Sequence, residues 1–254
     1  MITLYSGTPG SGKSLHVSRD IIKHLCKKSA VIANFPINTK LVKKRKGKNS
    51  GDFIYRKNID LTADYLRKVA KHYNKDRKEG QLLLVIDEAG MKFNSRGWQS
   101  PDRMDWLEFF SQHRKLGYNI IMVSQQDRQI DKQMRAVLEY DVKHKKANNF
   151  KTLGLILSAL RIPIFSAVTY WYGQAERVGA EVFRFRKRDS QIYDTMMLFG
   201  DSESASMECG ENCPICGGSG KDQEDDHYKD SGNNINDTID TMSIEQIMSS
   251  LEDN

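Results

Sequence analysis

The sequence predicts an α/β fold: a mostly parallel β-sheet flanked by helices, followed by a chemically different tail. Three observations carry this. Short, predominantly apolar runs recur at 2–6, 82–86 and 119–124, as expected of strands covered on both faces. Longer stretches with helical spacing of their apolar residues alternate with those runs, which argues for right-handed crossovers and parallel pairing. The charge is also partitioned: of 39 Lys+Arg and 33 Asp+Glu, the last 54 residues hold only two cations against fourteen acids. That tail therefore carries −12 and residues 1–200 carry +18. A domain at 1–200 and a mostly disordered acidic tail at 201–254 are expected, because the tail has Tyr228 as its sole aromatic and too few apolar groups to offset the entropy of ordering it.

Each element follows in order. Ile2–Ser6 reads as a buried strand ending in a glycine-rich turn. A helix is predicted at 15–28, with Ile21, Ile22 and Leu25 on one face and basic residues in its last turn. A strand at 30–35 is closed by Pro36, and the cation- and glycine-rich stretch 43–51 is a solvated loop. A helix at 61–79, apolar at Leu61, Tyr65, Leu66 and Val69, is stopped by Gly80, and Leu82–Ile86 is the next strand. A helix at 102–116 turns Met104, Leu107, Phe109 and Phe110 inward and ends at Gly117, ahead of a strand at 119–124. The apolar segment 153–173 is long enough to span a bilayer. Arg161 near its centre, beside Pro163, favours instead a core or amphipathic helix followed by a strand, since arginine at mid-bilayer costs roughly 2.5–3.5 kcal/mol on insertion scales. A last strand is expected at 181–186.

With 39% hydrophobic and 28% charged residues, the chain is neither fibrous nor a polytopic membrane protein. Three of its four cysteines are bunched, which excludes a secreted disulfide scaffold, and Cys26 reads as a buried small apolar residue. The first residues lack the basic and apolar regions of a signal peptide, so a cytoplasmic location is expected.

Gly7-Thr8-Pro9-Gly10-Ser11-Gly12-Lys13-Ser14 matches G-x-x-x-x-G-K-[ST] at every fixed position, with a strand before it and a helix after it. Glycines let successive backbone N–H groups curl around a phosphate, and the helix N-terminus adds positive dipole. Lys13 is placed to reach the β- and γ-phosphate oxygens, the Ser14 hydroxyl to ligate Mg²⁺, and Leu15 completes the nucleotide-binding stretch. A glycine-rich turn that merely holds a lysine is the competing reading, and the strand–loop–helix setting argues against it. Asp87-Glu88 closes the apolar run Leu82–Ile86, at the strand end where open α/β sheets bind ligands. Asp87 is the second Mg²⁺ partner, through water, and Glu88 the general base. The adjacent glutamate points to an ATPase of the additional-strand class of P-loop NTPases. Ser124-Gln125-Gln126 ends the next strand, with Gln125 as a sensor of the γ-phosphate and catalytic water. Arg114, Arg128 and Arg135 are candidates for a transition-state cation from a neighbouring subunit.

These elements, with Gln112-His113-Arg114-Lys115-Leu116-Gly117 leading into the strand that ends at Gln125, resemble the zonular occludens toxin domain, a family shared with the filamentous-phage assembly ATPase. The resemblance spans about 1–200. It implies a homo-oligomeric, hexamer-like motor that hydrolyses ATP with Mg²⁺ to drive phage extrusion or DNA export, with phage coat, assembly or membrane export proteins as partners. It departs from the phage assembly pattern in having no transmembrane helix beyond residue 200, so contact with the inner face of the membrane would run through a partner or the 153–173 segment, and no toxin activity is expected. The +18 body suits either nucleic acid or anionic lipid. Two alternatives stand beside the motor: a nucleotide-gated interaction module, and a small-molecule or nucleotide kinase, which the Asp-Glu pair disfavours.

In the tail, Cys209, Cys213 and Cys216 have the spacing of a zinc knuckle, and His227 is the obvious fourth ligand. Reduced thiols without metal are the alternative. Residues 243–251 carry one short amphipathic face, a docking helix or a transient turn.

Overall fold

The computed structural model describes residues 1–39, 41–42, 51–76, 78–94, 101–146 and 163–193. Its elements are β1 (Ile2–Ser6), α1 (Lys13–Cys26), β2 (Ala30–Ala33), β3 (Phe53–Tyr55), α2 (Ala63–Tyr73), β4 (Leu82–Ile86), α3 (Ala89–Lys92), α4 (Arg103–Gln112), β5 (Tyr118–Val123), α5 (Lys132–Ala136), β6 (Tyr140–Lys146), β7 (Ile164–Trp171), β8 (Arg177–Arg184) and α6 (Lys187–Ser190). Among the described residues the strands form one sheet in the order β3-β2-β4-β5-β1-β6-β7-β8. From β3 to β6 every pair is parallel, and β7 and β8 then add antiparallel. The sheet is the mostly parallel α/β architecture the sequence predicts.

Alternation along each strand divides the core between two faces. On one face Leu4, Leu82, Leu84, Ile86 and Met122 pack with Leu66 and Val69 of α2 and with Trp106, Phe109 and Phe110 of α4. On the other, Leu83, Val85, Ile121 and Val123 pack with Leu15, Val17, Ile21 and Leu25 of α1, and with Phe165 and Phe183 of the β7–β8 hairpin. Double coverage is why the central strands read as unbroken apolar runs. It also fixes the polypeptide ends of β1, β4 and β5 as one shared edge, where β1 and β4 each pair with β5.

The helices differ from the sequence expectation at their ends. The second stops at Tyr73 rather than near Gly80, because Asn74 takes over: its Oδ1 accepts the Lys78 N–H at 2.9 Å and pulls the chain out of helical geometry. It starts at Thr62, whose hydroxyl caps the Tyr65 N–H at 3.1 Å. The fourth stops at Gln112, and turns carry the chain to Gly117. Its inward face is Trp106, Phe109 and Phe110; Met104, expected inside, is 70% exposed. Cys26 is half-buried rather than buried.

The expected last strand begins earlier, at Arg177, and pairs with β7, where a strand was expected. Positions 153–162 lie outside the described residues, as do the acidic tail, the cysteine cluster with His227, and 243–251. Among the described residues no helix is long and apolar enough to cross a membrane.

Candidate active site

The site is assembled where β1, β4 and β5 end. After Ser6 the chain enters the glycine-rich loop, and two of its glycines are dictated by neighbours. Gly7 has φ 143°, and a Cβ there would lie 2.6 Å from the His144 carbonyl oxygen. Gly12, at φ 96°, caps α1, and a Cβ would lie 2.7 Å from the Phe165 ring. The loop is therefore pressed between β6 and β7, and only glycine permits that approach. Inside the loop the Ser11 N–H donates to the Thr8 carbonyl at 3.2 Å, and the Gly7 N–H reaches the Gln125 carbonyl at 3.4 Å, tying the loop to the end of β5.

Lys13 stands at the first position of α1. Its ammonium donates to the carbonyls of Gly7 at 2.6 Å and Thr8 at 3.1 Å, so it lies across the loop. Partial burial lowers its pKa, and the negative charges of Asp87 and Glu88 oppose that shift. Ser14 is half-buried one residue on, while the Leu15 side chain is buried in the core, leaving only its backbone toward the loop. Thr8, Pro9 and Gly10 are exposed at the loop's crest.

Opposite the loop, β4 delivers Asp87 and Glu88. Asp87 is buried and gripped on every polar group described for it. Its N–H donates to Asn34 Oδ1 at 2.7 Å, and its carbonyl accepts from Asn34 Nδ2 at 2.8 Å. Carboxylate Oδ1 accepts the Glu88 N–H at 2.9 Å, and Oδ2 accepts the Tyr193 hydroxyl. Burial, then the Asp87 charge, raise the Tyr193 pKa far above its usual value, so the phenol remains a donor. Glu88 adopts φ 49°, a left-handed conformation uncommon outside glycine, and starts α3 from it. Its pKa is raised by burial and by Asp87, and held back by Lys13. Lys13, Asp87 and Glu88 thus feel one another's charge.

Gln125 is exposed just beyond β5, and its backbone, not a described side-chain contact, joins the loop. The arginines separate. Arg114 lies at the opposite ends of the strands, donating to Glu139 at 2.7 Å beside the Met1 amino group. Arg135 pairs with Asp127 at 3.8 Å, and Arg128 is exposed in the 3-10 turn Asp127–Gln129 after β5. The residues that sequence reading missed are Asn34, His144, Phe165 and Tyr193. Asn34 had a faint signal, a polar side chain directly after a buried strand at the ligand-binding edge. The other three had none.

The donor set suits a magnesium nucleotide. Ser14 and Asp87 offer the hard oxygens that Mg²⁺ prefers, and Asp87 is oriented by its own neighbours. The Ser11 hydroxyl is buried beside Gly7 without a partner among the described residues, a donor that a phosphate oxygen would satisfy.

With β5 inserted between the strand that carries the loop and the strand that carries the acids, the fold and site define a P-loop NTPase of the additional-strand class. The family model of zonular occludens toxin (Zot) matches residues 1–197. The chain belongs to that family. The gene 1 protein of Escherichia phage If1 is 32% identical over 130 residues, 47% of this chain and 37% of that protein. The gene 1 protein of Enterobacteria phage I2-2 is 29% identical over 144 residues, 52% of this chain and 38% of the relative. The chain thus spans well under half the length of these relatives. The N-terminal domain of zonular occludens toxin from Neisseria meningitidis is similar in structure at a TM-score of 0.48 and 17% identity, covering 76% of this chain and 98% of that one.

Proposed function

We propose that this chain is the ATP-hydrolysing motor of a phage assembly and extrusion or DNA export process, working as a homo-oligomer at the inner face of a cell membrane. The observation that carries the reading is the meeting of Lys13, Asp87 and Glu88 at one sheet edge, with Asp87 already oriented. Gly7 to Leu15 would wrap the phosphates, Lys13 turning its ammonium from its own loop's carbonyls to the phosphate oxygens. Magnesium, held by Ser14 and Asp87, supplies charge neutralisation on those oxygens when bound. Glu88 takes a proton from water as the water oxygen bonds to the γ-phosphorus. The bond from that phosphorus to the bridging oxygen breaks, and ADP and phosphate leave. Burial, then the Asp87 charge, raise the Glu88 carboxyl pKa, which makes it a stronger proton acceptor than an ordinary glutamate. Gln125, at the end of β5 and bonded through its carbonyl to Gly7, is the sensor of γ-phosphate loss.

Turnover of ATP by wild-type protein and by Glu88→Gln, each with and without single- and double-stranded DNA, tests this. Glu88→Gln is expected to lose roughly 10²- to 10⁴-fold in rate while retaining nucleotide. Stimulation by DNA assigns a nucleic-acid cargo; indifference to DNA assigns a protein cargo such as coat subunits. An equal, negligible rate in both proteins, with nucleotide still bound, would replace the motor by a nucleotide-gated interaction module.

A further inference from the structure

We infer that Tyr193 is a positioning residue for the magnesium-binding carboxylate, acting through Asp87 without itself touching nucleotide or metal. This rests on the nucleotide-binding reading above and deepens it.

Tyr193 lies 106 positions from Asp87 and donates its hydroxyl to Asp87 Oδ2. It is held there by its own packing. Its ring lies against Phe35, with centroids 4.1 Å apart and planes at 32°, and it is only 9% exposed. The preceding residue is anchored as well: the Ile192 carbonyl accepts the Asn38 N–H at 2.9 Å. Both contacts fall on the segment directly after β2, the segment whose Asn34 clamps the Asp87 backbone. Asn34 is itself steadied by Asn58, whose Oδ1 accepts from Asn34 Nδ2 at 2.8 Å. One wall, built from the end of β2 and the chain beyond α6, thus surrounds the Asp87 carboxylate.

A carboxylate has about four lone-pair directions. Glu88 N–H uses one on Oδ1 and Tyr193 uses one on Oδ2, so the plane of the group is set and the remaining directions are fixed with it. Without the hydroxyl, rotation about the Cβ–Cγ bond is restrained from one side only. The orientation is then selected by the metal on binding, at the expense of affinity. Groups that orient metal ligands from the next layer out typically contribute about ten- to a hundredfold to metal affinity. Tyr193 supplies one of two such contacts to the carboxylate, which places it near the lower figure.

The test uses the full chain and a fluorescent ATP analogue, titrated in EDTA and then at increasing Mg²⁺. Tyr193→Phe keeps the ring against Phe35 and removes only the hydroxyl. It is expected to raise the half-saturating Mg²⁺ concentration roughly tenfold, with metal-free nucleotide affinity unchanged. In Asp87→Asn, adding Tyr193→Phe is expected to change nothing further, because the tyrosine acts through that carboxylate. An unchanged Mg²⁺ dependence in Tyr193→Phe overturns the inference, as does an equal loss of metal-free binding, which would mark a purely structural role. Wild-type protein that binds no nucleotide with or without Mg²⁺ sinks the P-loop reading itself, a result distinct from either.

Discussion

The two walls of the site are made in opposite ways. The phosphate loop is one contiguous stretch, Gly7 to Ser14, whose internal ties are backbone hydrogen bonds and the Lys13 ammonium on its own carbonyls. The carboxylate wall draws Asn34, Asp87, Glu88 and Tyr193 from distant parts of the chain and is tied by side chains. A contiguous backbone cradle needs glycines and room; a scattered wall needs each side chain to be satisfied. The first tolerates sequence drift in the elements around it as long as nothing intrudes. The second fails when any one partner goes.

That contrast is broken most directly at the one charged side chain in the cradle. Lys13→Ala removes a cation that reaches phosphate, and the affinity for ATP is expected to fall roughly a hundredfold, about 3 kcal/mol. Equilibrium binding in EDTA measures it without involving the carboxylate wall. A fall of less than threefold would mean that the backbone alone holds the nucleotide, and that Lys13 belongs to the loop's own structure.

The next effect concerns the strand that presses on the cradle. His144 of β6 is buried, with Nδ1 2.9 Å from the Val142 carbonyl and 3.2 Å from that of Ser6, which places the ring hydrogen there. Nε2 then accepts from His16 Nδ1 at 2.9 Å. Around this pair lie Tyr5, stacked on His16, and the carboxylates of Asp20 and Glu181 at 3.6 and 3.7 Å from His16 Nε2. Burial first, and the charge on His16 second, push the His144 pKa down from 6.5 to about 4. The folded state thus binds this proton less readily than the unfolded chain. Its stability is complete above about 6.5, declines as pH falls from there to about 4, and levels below. The loss attributable to His144 is about 3 kcal/mol at its limit. Thermal midpoints from pH 8 to 4 on His144→Gln, compared with wild type, isolate it: the slope between 6.5 and 4 should flatten in the variant. An identical slope would place the acid sensitivity elsewhere.

How much of this could be read from residues alone follows from the same contrast. The loop and the Asp-Glu pair are legible because each is a short contiguous pattern beside a buried, mainly apolar strand, and Leu82–Ile86 matches the expected strand to the residue. The carboxylate wall was not, since Asn34 and Tyr193 meet Asp87 only through the topology, and no periodicity links 34, 87 and 193. β6 escaped for another reason. Its sequence, YDVKHKK, reads as a solvated charge run, yet Val142 and His144 turn inward while Lys143 and Lys145 point out. Half-covered strands near a sheet's margin hide in this way. Met104 was misplaced because the apolar stripe of α4 is centred on Trp106, which outcompetes a flexible methionine for the interior.

The glycine-rich cradle should also be sensitive to bulk where it is pressed. Gly12→Ala adds a Cβ 2.7 Å from the Phe165 ring at a φ of 96°. Left-handed backbone and overlap together are expected to destabilise the fold by roughly 2 kcal/mol. Pairing it with Phe165→Leu should recover part of that loss by making room, leaving the backbone component. If the double variant is no more stable than Gly12→Ala alone, the hairpin does not constrain the loop.

The smallest effect is the sharpest test of what the cradle does with side chains. Ser11 is 2% exposed, and its hydroxyl has no partner among the described residues. A buried hydroxyl in that state contributes no hydrogen bond to the folded protein, so Ser11→Ala should leave thermal stability within about 0.5 kcal/mol of wild type or raise it slightly. A serine buried for structural reasons behaves oppositely, losing about 1 kcal/mol on removal of its bonded oxygen. The same substitution should weaken ATP by about fivefold, near 1 kcal/mol, if the hydroxyl is one of the donors that close on phosphate. Neutral stability with weakened binding makes Ser11 a ligand held ready inside an otherwise backbone-built loop. Weakened stability with unchanged binding makes the cradle, like the opposite wall, a structure held by its side chains, and the distinction between the two walls disappears.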